Sequence, residues 1–528
     1  MSESPSAGPA EGIGRRRFLA VTAAAGMAGT AAVLDPVSFA SASPGPGTPP
    51  GQTPDQTAPD QTAPDQTRVI TGQLPAGAPD WVYLPMDIPH GVREIAVKYS
   101  YDRPTPPPGL AGNALDIGIF DESGIGLGNA AGFRGWSGGF RDSFAISRTA
   151  ATPGYRPGPV NAGRWHVILG PYTVVPAGLN YQVEITLRFG PPGPAFVPNP
   201  APRRATGRGS AWYRGDMHLH TVHSDGQRTP AELAAGARAA HLDYIVSTEH
   251  NTPTASGIWG DFAGPDLLII DGEEITTRNG HYLALGLPVD TWIDWRYRAT
   301  DGSFLEFARQ IHRHGGLVVA AHPYCPFVGC SWKFGLGGLD AVEVWNGPWT
   351  VDDEVSVADW DSTLAEGART GRWLPAVGDS DAHREPQVIG LPQNAVHADD
   401  LNRNAILAGV RAGRVWIAES AAVDLSFACT AGGATAGIGE RLRVAADAVV
   451  TATVTVSGAP GSAVRLITDE GQMLLAPLPA SGTGTVTYQT RPRLAPYIRA
   501  EVRRPDPATP LGVMVAMTNP IFLGRQPG

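Results

Sequence analysis

The chain has 528 residues, 42% of them hydrophobic, which is ample for packed cores and predicts about three domains at roughly 150 residues each. Glycine (65) and proline (49) are abundant, so turn-rich β structure is expected beside any α/β core. A formal net charge of -10 argues against a dedicated nucleic-acid binder, whose footprint is basic, and no stable nucleic-acid partner is expected.

Residues 1–42 have the order of an export signal. Arg15-Arg16-Arg17 precede an Ala/Gly-rich apolar run over 18–34, and Ala40-Ser41-Ala42 offers a small-residue cleavage site. The Arg-Arg-x-Phe-Leu order resembles a twin-arginine signal, which implies twin-arginine export machinery as a partner and a secreted, cell-surface or periplasmic protein. The run is short and weakly apolar for a spanning helix, and no membrane partner is expected. Residues 43–67 repeat Pro-Asp-Gln-Thr from Pro54, Pro59 and Pro64, a composition that buries no core and predicts a disordered linker.

Residues 68–190 alternate apolar and polar positions between Gly/Pro turns, for example over 94–99 and 181–187, and predict a β-sandwich. The 115–121 stretch alternates too, so it is read as a strand rather than a calcium loop. A Pro-rich link over 190–202 follows. Residues 213–419 alternate buried-type strands with helices, the latter expected at 229–240, 304–314 and 357–370. That pattern predicts an α/β fold built as a parallel (β/α) barrel, whose chemistry gathers at the carboxyl ends of its strands. Residues 421–525 return to β structure, clearest over 449–456, and predict a second β-sandwich.

Nearly all the chemistry-bearing residues fall at those strand ends. His218 and His220 are two apart on a short strand, so both side chains point to one side, as a metal ion requires. Asp225 follows in a Ser-Asp-Gly turn, Thr229-Pro230 starts a helix, and the next strand ends at His250. Glu274, His281 and His322 sit at later strand ends, and Asp381 and His383 repeat the spacing of two. His223, in the first loop, is a candidate for orienting substrate or carrying a proton. Cys325 and Cys330 bracket a short loop after His322; a disulfide and two free thiols both remain open.

The motifs His-Leu-His-Thr, Ser-Asp-Gly, Ser-Thr-Glu-His-Asn, Gly-Glu-Glu-Ile-Thr, Gly-His-Tyr-Leu-Ala-Leu-Gly, Ala-Ala-His-Pro and Gly-Asp-Ser-Asp-Ala-His follow in that order. Together they resemble the PHP (polymerase and histidinol phosphatase) metallohydrolase superfamily over 213–383, and the carboxy-terminal β unit makes the carbaryl-esterase-like branch the closest match. The resemblance implies a distorted barrel with two or three divalent ions, and mixed N/O ligation suits Zn²⁺, Mn²⁺ or Fe²⁺. It implies that His218, His220, Glu274 and Asp381 hold one ion. Glu274 would bridge to a second on His281 and His322, and Asp225, His250 and His383 would hold a third. A small-molecule ester is the expected substrate, phosphate esters first and carboxylic or carbamic esters second; a non-catalytic extracellular binding protein is the third reading. No Gly-x-Ser-x-Gly elbow falls at a strand–helix junction, so a hydroxide held by the metals is the expected nucleophile. Replacing Arg15 and Arg16 together by Lys is expected to retain the protein in the cytoplasm on cell fractionation; normal export of that variant removes the twin-arginine reading.

Overall fold

The computed structural model describes residues 63–507 and 509–525. The expected signal segment and residues 43–62 of the expected linker lie outside the described residues. The last Pro-Asp-Gln-Thr repeat is not linker throughout: Gln66 and Thr67 open the strand Gln66–Leu74, which pairs antiparallel with Leu179–Phe189. The Thr67 and Thr186 hydroxyls lie 2.9 Å apart across this pair, so a repeat residue gains a cross-strand partner.

Two four-stranded antiparallel sheets follow. Their inward positions alternate, so Ile95, Val97, Val183 and Ile185 of one sheet share a buried core with Leu84, Ile117, Val167 and Leu169 of the other. The 115–121 stretch forms the strand Ala114–Phe120.

In the centre, Ala211–Asp216, Tyr244–Ser247, Leu268–Thr277, Gly280–Leu285, Leu317–Ala321, Ala341–Asn346 and Ala376–Asp379 pair in chain order. The helix Pro230–Ala239 begins with a capping box between Thr229 and Glu232. The helix Val351–Thr370 starts ahead of the expected 357, because Thr350 and Asp353 form a second capping box. It stops at Gly371, which takes a left-handed conformation.

The expected all-parallel order needs correction. Gly280–Leu285 runs antiparallel to both neighbours. Only Arg278 and Asn279 separate Thr277 from its partner Gly280, far too little chain for the crossover a parallel pair needs. Gly280 turns at φ +117°, and a β-carbon there would stand 2.6 Å from Trp332 Cα. The reversal places His281 opposite both Thr276 and Ala321. The run of strands also comes back on itself, since Leu219 bridges Ala382 in parallel and the Asn394 amide bonds Gly378 through both its backbone groups.

The sheet continues beyond 419. Gln393–Ala398 lies antiparallel between Ala211–Asp216 and Val415–Ala418, and the latter pairs with Thr509–Thr518. Asn519 bonds the backbone N and O of Ala376 at 2.8 and 2.9 Å, fixing the end of that strand remote from Asp381. No helix among the described residues is long and apolar enough to cross a membrane.

At the other end the amino-terminal sheets pack on the central strands through aromatic rings. Trp292 stacks on Phe133 with ring centres 4.3 Å apart, and Trp295 lies 4.7 Å from Trp136. Between them the buried Arg296 pairs with Asp294 at 2.6 Å and donates to Tyr83 Oη at 2.6 Å and Ile125 O at 3.0 Å. Arg296→Ala leaves Asp294 buried without its cation, an expected cost of about 3–5 kcal/mol. Denaturant titration measures it, and a loss below about 1 kcal/mol, the worth of an exposed pair, shows that the interface does not depend on this arginine.

Candidate metal centre

Most candidate ligands follow strand ends, and Asp225 comes from the turn after His220. His218 and His220 follow Ala211–Asp216, His250 follows Tyr244–Ser247, His322 follows Leu317–Ala321, and Asp381 and His383 follow Ala376–Asp379. Glu274 lies within Leu268–Thr277, and the reversed strand brings His281 to the same end.

Glu274 is the hub. Its Oε2 lies 3.2 Å from His218 Nε2, 3.4 Å from His220 Nε2 and 2.8 Å from His250 Nδ1. Its Oε1 lies 2.9 Å from His281 Nδ1 and 3.3 Å from His322 Nε2. Asp381 Oδ1 stands 3.3 Å from His218 Nε2 and 2.9 Å from His220 Nε2. Asp225 Oδ1 stands 3.4 Å from His250 Nε2 and 3.2 Å from His383 Nε2. All nine residues expected from the sequence therefore meet in one cluster. His220 belongs to two groups within it, one with His218 and Asp381 and one with Asp225, His250 and His383, whose donor atoms lie within 4.8 Å of one another.

His223 is not part of the cluster. Its Nδ1 lies 3.0 Å from Thr254 Oγ1, and burial first, then Arg141, pushes its pKa down to about 4. Cys325 and Cys330 are joined in a disulfide, and Cys330 Sγ rests 3.4 Å from His322 Nδ1. The buried Cys429 thiol is free.

The sequence reading missed Glu343. Its Oε1 accepts from His218 Nδ1 at 3.0 Å, while its Oε2 accepts from the His322 backbone N at 2.7 Å and from Asn346 Nδ2 at 3.1 Å. The signal was a lone carboxylate inside the apolar strand Ala341–Asn346, where an unpaired charge is costly. Glu249 and Asp216 also support the site. Glu249 accepts from Thr221 and Ser224, and Asp216 from Ser380 and the Gly390 backbone, so each pins a loop that carries a candidate ligand.

The electrostatics separate the imidazoles. Burial alone lowers the His218 pKa, but Asp381, Glu343 and Glu274 outweigh it and hold the ring well above its ordinary value. His220 is pushed down to about 3, by burial first and then by His383 and His250. Burial lowers His383 as well, yet Asp381 and Asp225 lift it to about 9. Glu274 is held well below its ordinary range against burial, chiefly by His250 and His218. The backbone is forced here also. Asn251, His322 and Asp381 take left-handed conformations at φ 56°, 28° and 48°, a strain of about 1–3 kcal/mol each that the surroundings must hold.

Close packing of this kind does not satisfy the polar atoms by hydrogen bonding. His218 Nε2, His220 Nε2, His281 Nε2, Glu274 Oε2, Asp225 Oδ1 and Asp381 Oδ1 are all buried with no hydrogen-bond partner. Carboxylate oxygens and imidazole nitrogens that converge with lone pairs facing inward fit divalent cations of mixed N/O preference. A cavity of about 480 Å³ opens against the cluster, bounded on this side by Asp225, His250, Asn251, Thr276 and His281.

No family model matches the chain, and no curated protein matches it. Among solved structures, a two-domain protein from Bacteroides vulgatus containing a predicted PHP-like metal-dependent phosphoesterase is 16% identical, with 62% of this chain and 100% of that chain covered and a TM-score of 0.34. An amidohydrolase from Chromobacterium violaceum is 19% identical, with 33% of this chain and 89% of that chain covered and a TM-score of 0.25. These likenesses are distant, and the functional reading rests on the side-chain geometry. Glu343→Gln keeps the shape but removes the charge that orients His218. It is expected to weaken divalent-metal binding by about 10–100-fold in chelator competition, and undiminished affinity assigns Glu343 a purely structural part.

Proposed function

We infer that the chain is a metal-dependent hydrolase of PHP type that acts on phosphate esters, with water as the nucleophile. One observation carries this reading: a buried set of nitrogen and carboxylate oxygen atoms faces inward, without hydrogen-bond partners, at the wall of a cavity.

His218, His220, Glu274 and Asp381 would hold one ion, Glu274 with His281 and His322 a second, and Asp225, His250 and His383 a third. Divalent ions bound there supply Lewis acidity, which acidifies water and offsets charge growing on ester oxygens. Glu343 fixes the His218 tautomer through Nδ1 and leaves Nε2 facing Glu274 and Asp381. The disulfide loop steadies His322, and Gly280 N donates to Gly329 O at 2.8 Å, which ties that loop to the strand bearing His281. Asn251 holds the Thr276 backbone through its Oδ1 at 2.8 Å and faces the cavity, where its amide can meet substrate.

Carboxylic or carbamic ester hydrolysis is the second reading. Among the described residues, the cavity wall facing the cluster is rich in aromatic rings and offers a phosphate one cation, Arg278, whose NH1 and NH2 are committed to backbone carbonyls. Elemental analysis of the mature protein, paired with p-nitrophenyl phosphate, bis-p-nitrophenyl phosphate and p-nitrophenyl acetate, separates the readings. Two or more ions with phosphate release is the expected result; acyl hydrolysis alone moves the assignment to the second reading. Neither metal nor turnover after reconstitution leaves a binding protein. His218→Ala and Asp381→Ala should each fold and lose about a thousandfold or more in turnover, several kcal/mol of transition-state stabilisation. Wild-type turnover in either variant removes the site assignment.

A further inference from the structure

The cavity at the cluster has a second wall, and the amino-terminal sheets build most of it: Trp81, Asp116, Trp136, Phe140 and Tyr172. Asp116 sits in the strand Ala114–Phe120, and its carboxylate accepts no hydrogen bond from a described residue. Burial pushes this carboxyl up to about 6, an effect that the field of Arg278 only partly opposes. Arg278 is not its ion-pair partner. The guanidinium lies over the Tyr172 ring at 4.4 Å and the Trp81 ring at 5.4 Å, and donates to Tyr172 O at 2.9 Å and Pro171 O at 3.0 Å.

This half-buried carboxylate without a hydrogen-bonding partner among the described residues, in a ring-lined wall, is free to pair with a ligand that enters the cavity. The cavity of about 480 Å³ leaves room for one. Behind these groups the backbone packs tightly: a β-carbon on Gly139 would stand 3.2 Å from Asp116 Oδ1, and one on Gly170 would stand 3.0 Å from both the Trp81 and Trp136 rings. Phe140 remains substantially exposed at the same edge. A carboxylate among indole and phenyl rings is the chemistry that recognises an organic cation, by charge and by the ring quadrupoles together. We propose that the amino-terminal sheets carry a subsite for an organic ammonium group on the substrate, with Asp116 as its counter-ion and the rings of Trp81, Trp136 and Phe140 as its walls. The ester then spans the cavity, its reacting group at the histidine cluster and its charged alcohol portion at Asp116. The position of the ester rests on the hydrolase reading above; the ammonium subsite stands on its own side chains.

The test uses the full metal-loaded chain and two probes of equal shape, choline and its neutral isostere 3,3-dimethylbutanol, followed by tryptophan fluorescence. Choline should bind saturably and about tenfold more tightly than the alcohol, and Asp116→Asn should erase that difference. Thermal melting of Asp116→Asn at or above the wild-type temperature shows that the variant is folded, since it removes an unpaired charge. Turnover of phosphocholine and acetylcholine against their 3,3-dimethylbutyl analogues should give a cation preference in kcat/KM that falls about tenfold in the variant. Equal binding of the two probes, or undiminished choline binding by Asp116→Asn, overturns the subsite. Hydrolysis of the neutral and charged esters alike also overturns it, while leaving the hydrolase reading intact. Saturable, Asp116-dependent choline binding without turnover of any ester supports the subsite and removes the hydrolase reading.

Discussion

Glu274 is a carboxylate with no exposed surface, placed where five imidazoles converge. An isolated charge in that setting is strongly unfavourable, so it needs cations close by. Protons on the histidines meet part of the need, which is why His218 and His250 are driven upward while His220 is driven down. Protons cannot meet all of it, because several nitrogens and oxygens face one another without hydrogen-bond geometry. The cluster is therefore organised around positive charge that the polypeptide does not itself contain, and much of the surrounding structure serves to keep these groups from moving apart.

Two features resist that separation. The first is the reversed strand Gly280–Leu285, which seats His281 beside Glu274 and lets the next strand deliver His322 from the other side. The second is a ring of supporting carboxylates, Asp216, Glu249 and Glu343, each taking several donors from the loops that carry the candidate ligands. Strain at His322 and Asp381 persists because strand pairing on one side and these bonds on the other leave the backbone no easier path. At the far end, Asn519 and the pairing of Val415–Ala418 with Thr509–Thr518 stiffen the same sheet.

Much of the cluster was legible in the sequence because its ligands come in local patterns. His218 with His220, and Asp381 with His383, sit two apart just past strand ends, a local spacing visible without any tertiary knowledge. Glu343 carried no such pattern; its meaning lies in a contact with His218 across the sheet. The reversal at 278–280 did have a local sign, since Asn279-Gly280 is a strong hairpin pair. The alternation of strands and helices around it points instead to a parallel order. His223 lies close in sequence to His220, yet its ring turns to Thr254.

The facing wall of the cavity was not legible at all, and the reason is topological. Trp81, Asp116, Trp136 and Tyr172 come one at a time from separate parts of the amino-terminal sheets, and each reads in sequence as an ordinary residue of a β strand or its flank. They neighbour one another through the pairing of a single amino-terminal sheet, and Trp292, Trp295 and Arg296 hold that sheet against the central strands, opposite the cluster. The two halves of the cavity thus differ in origin: the cluster's ligands come from the central strands, whereas the opposite wall belongs to another sheet and faces them only across an interface. An interface of this kind can change its ring set or its charge without disturbing Glu274 and its imidazoles. In the proposed reading, that separation would let recognition of the substrate vary at Asp116 while the histidine cluster stays constant.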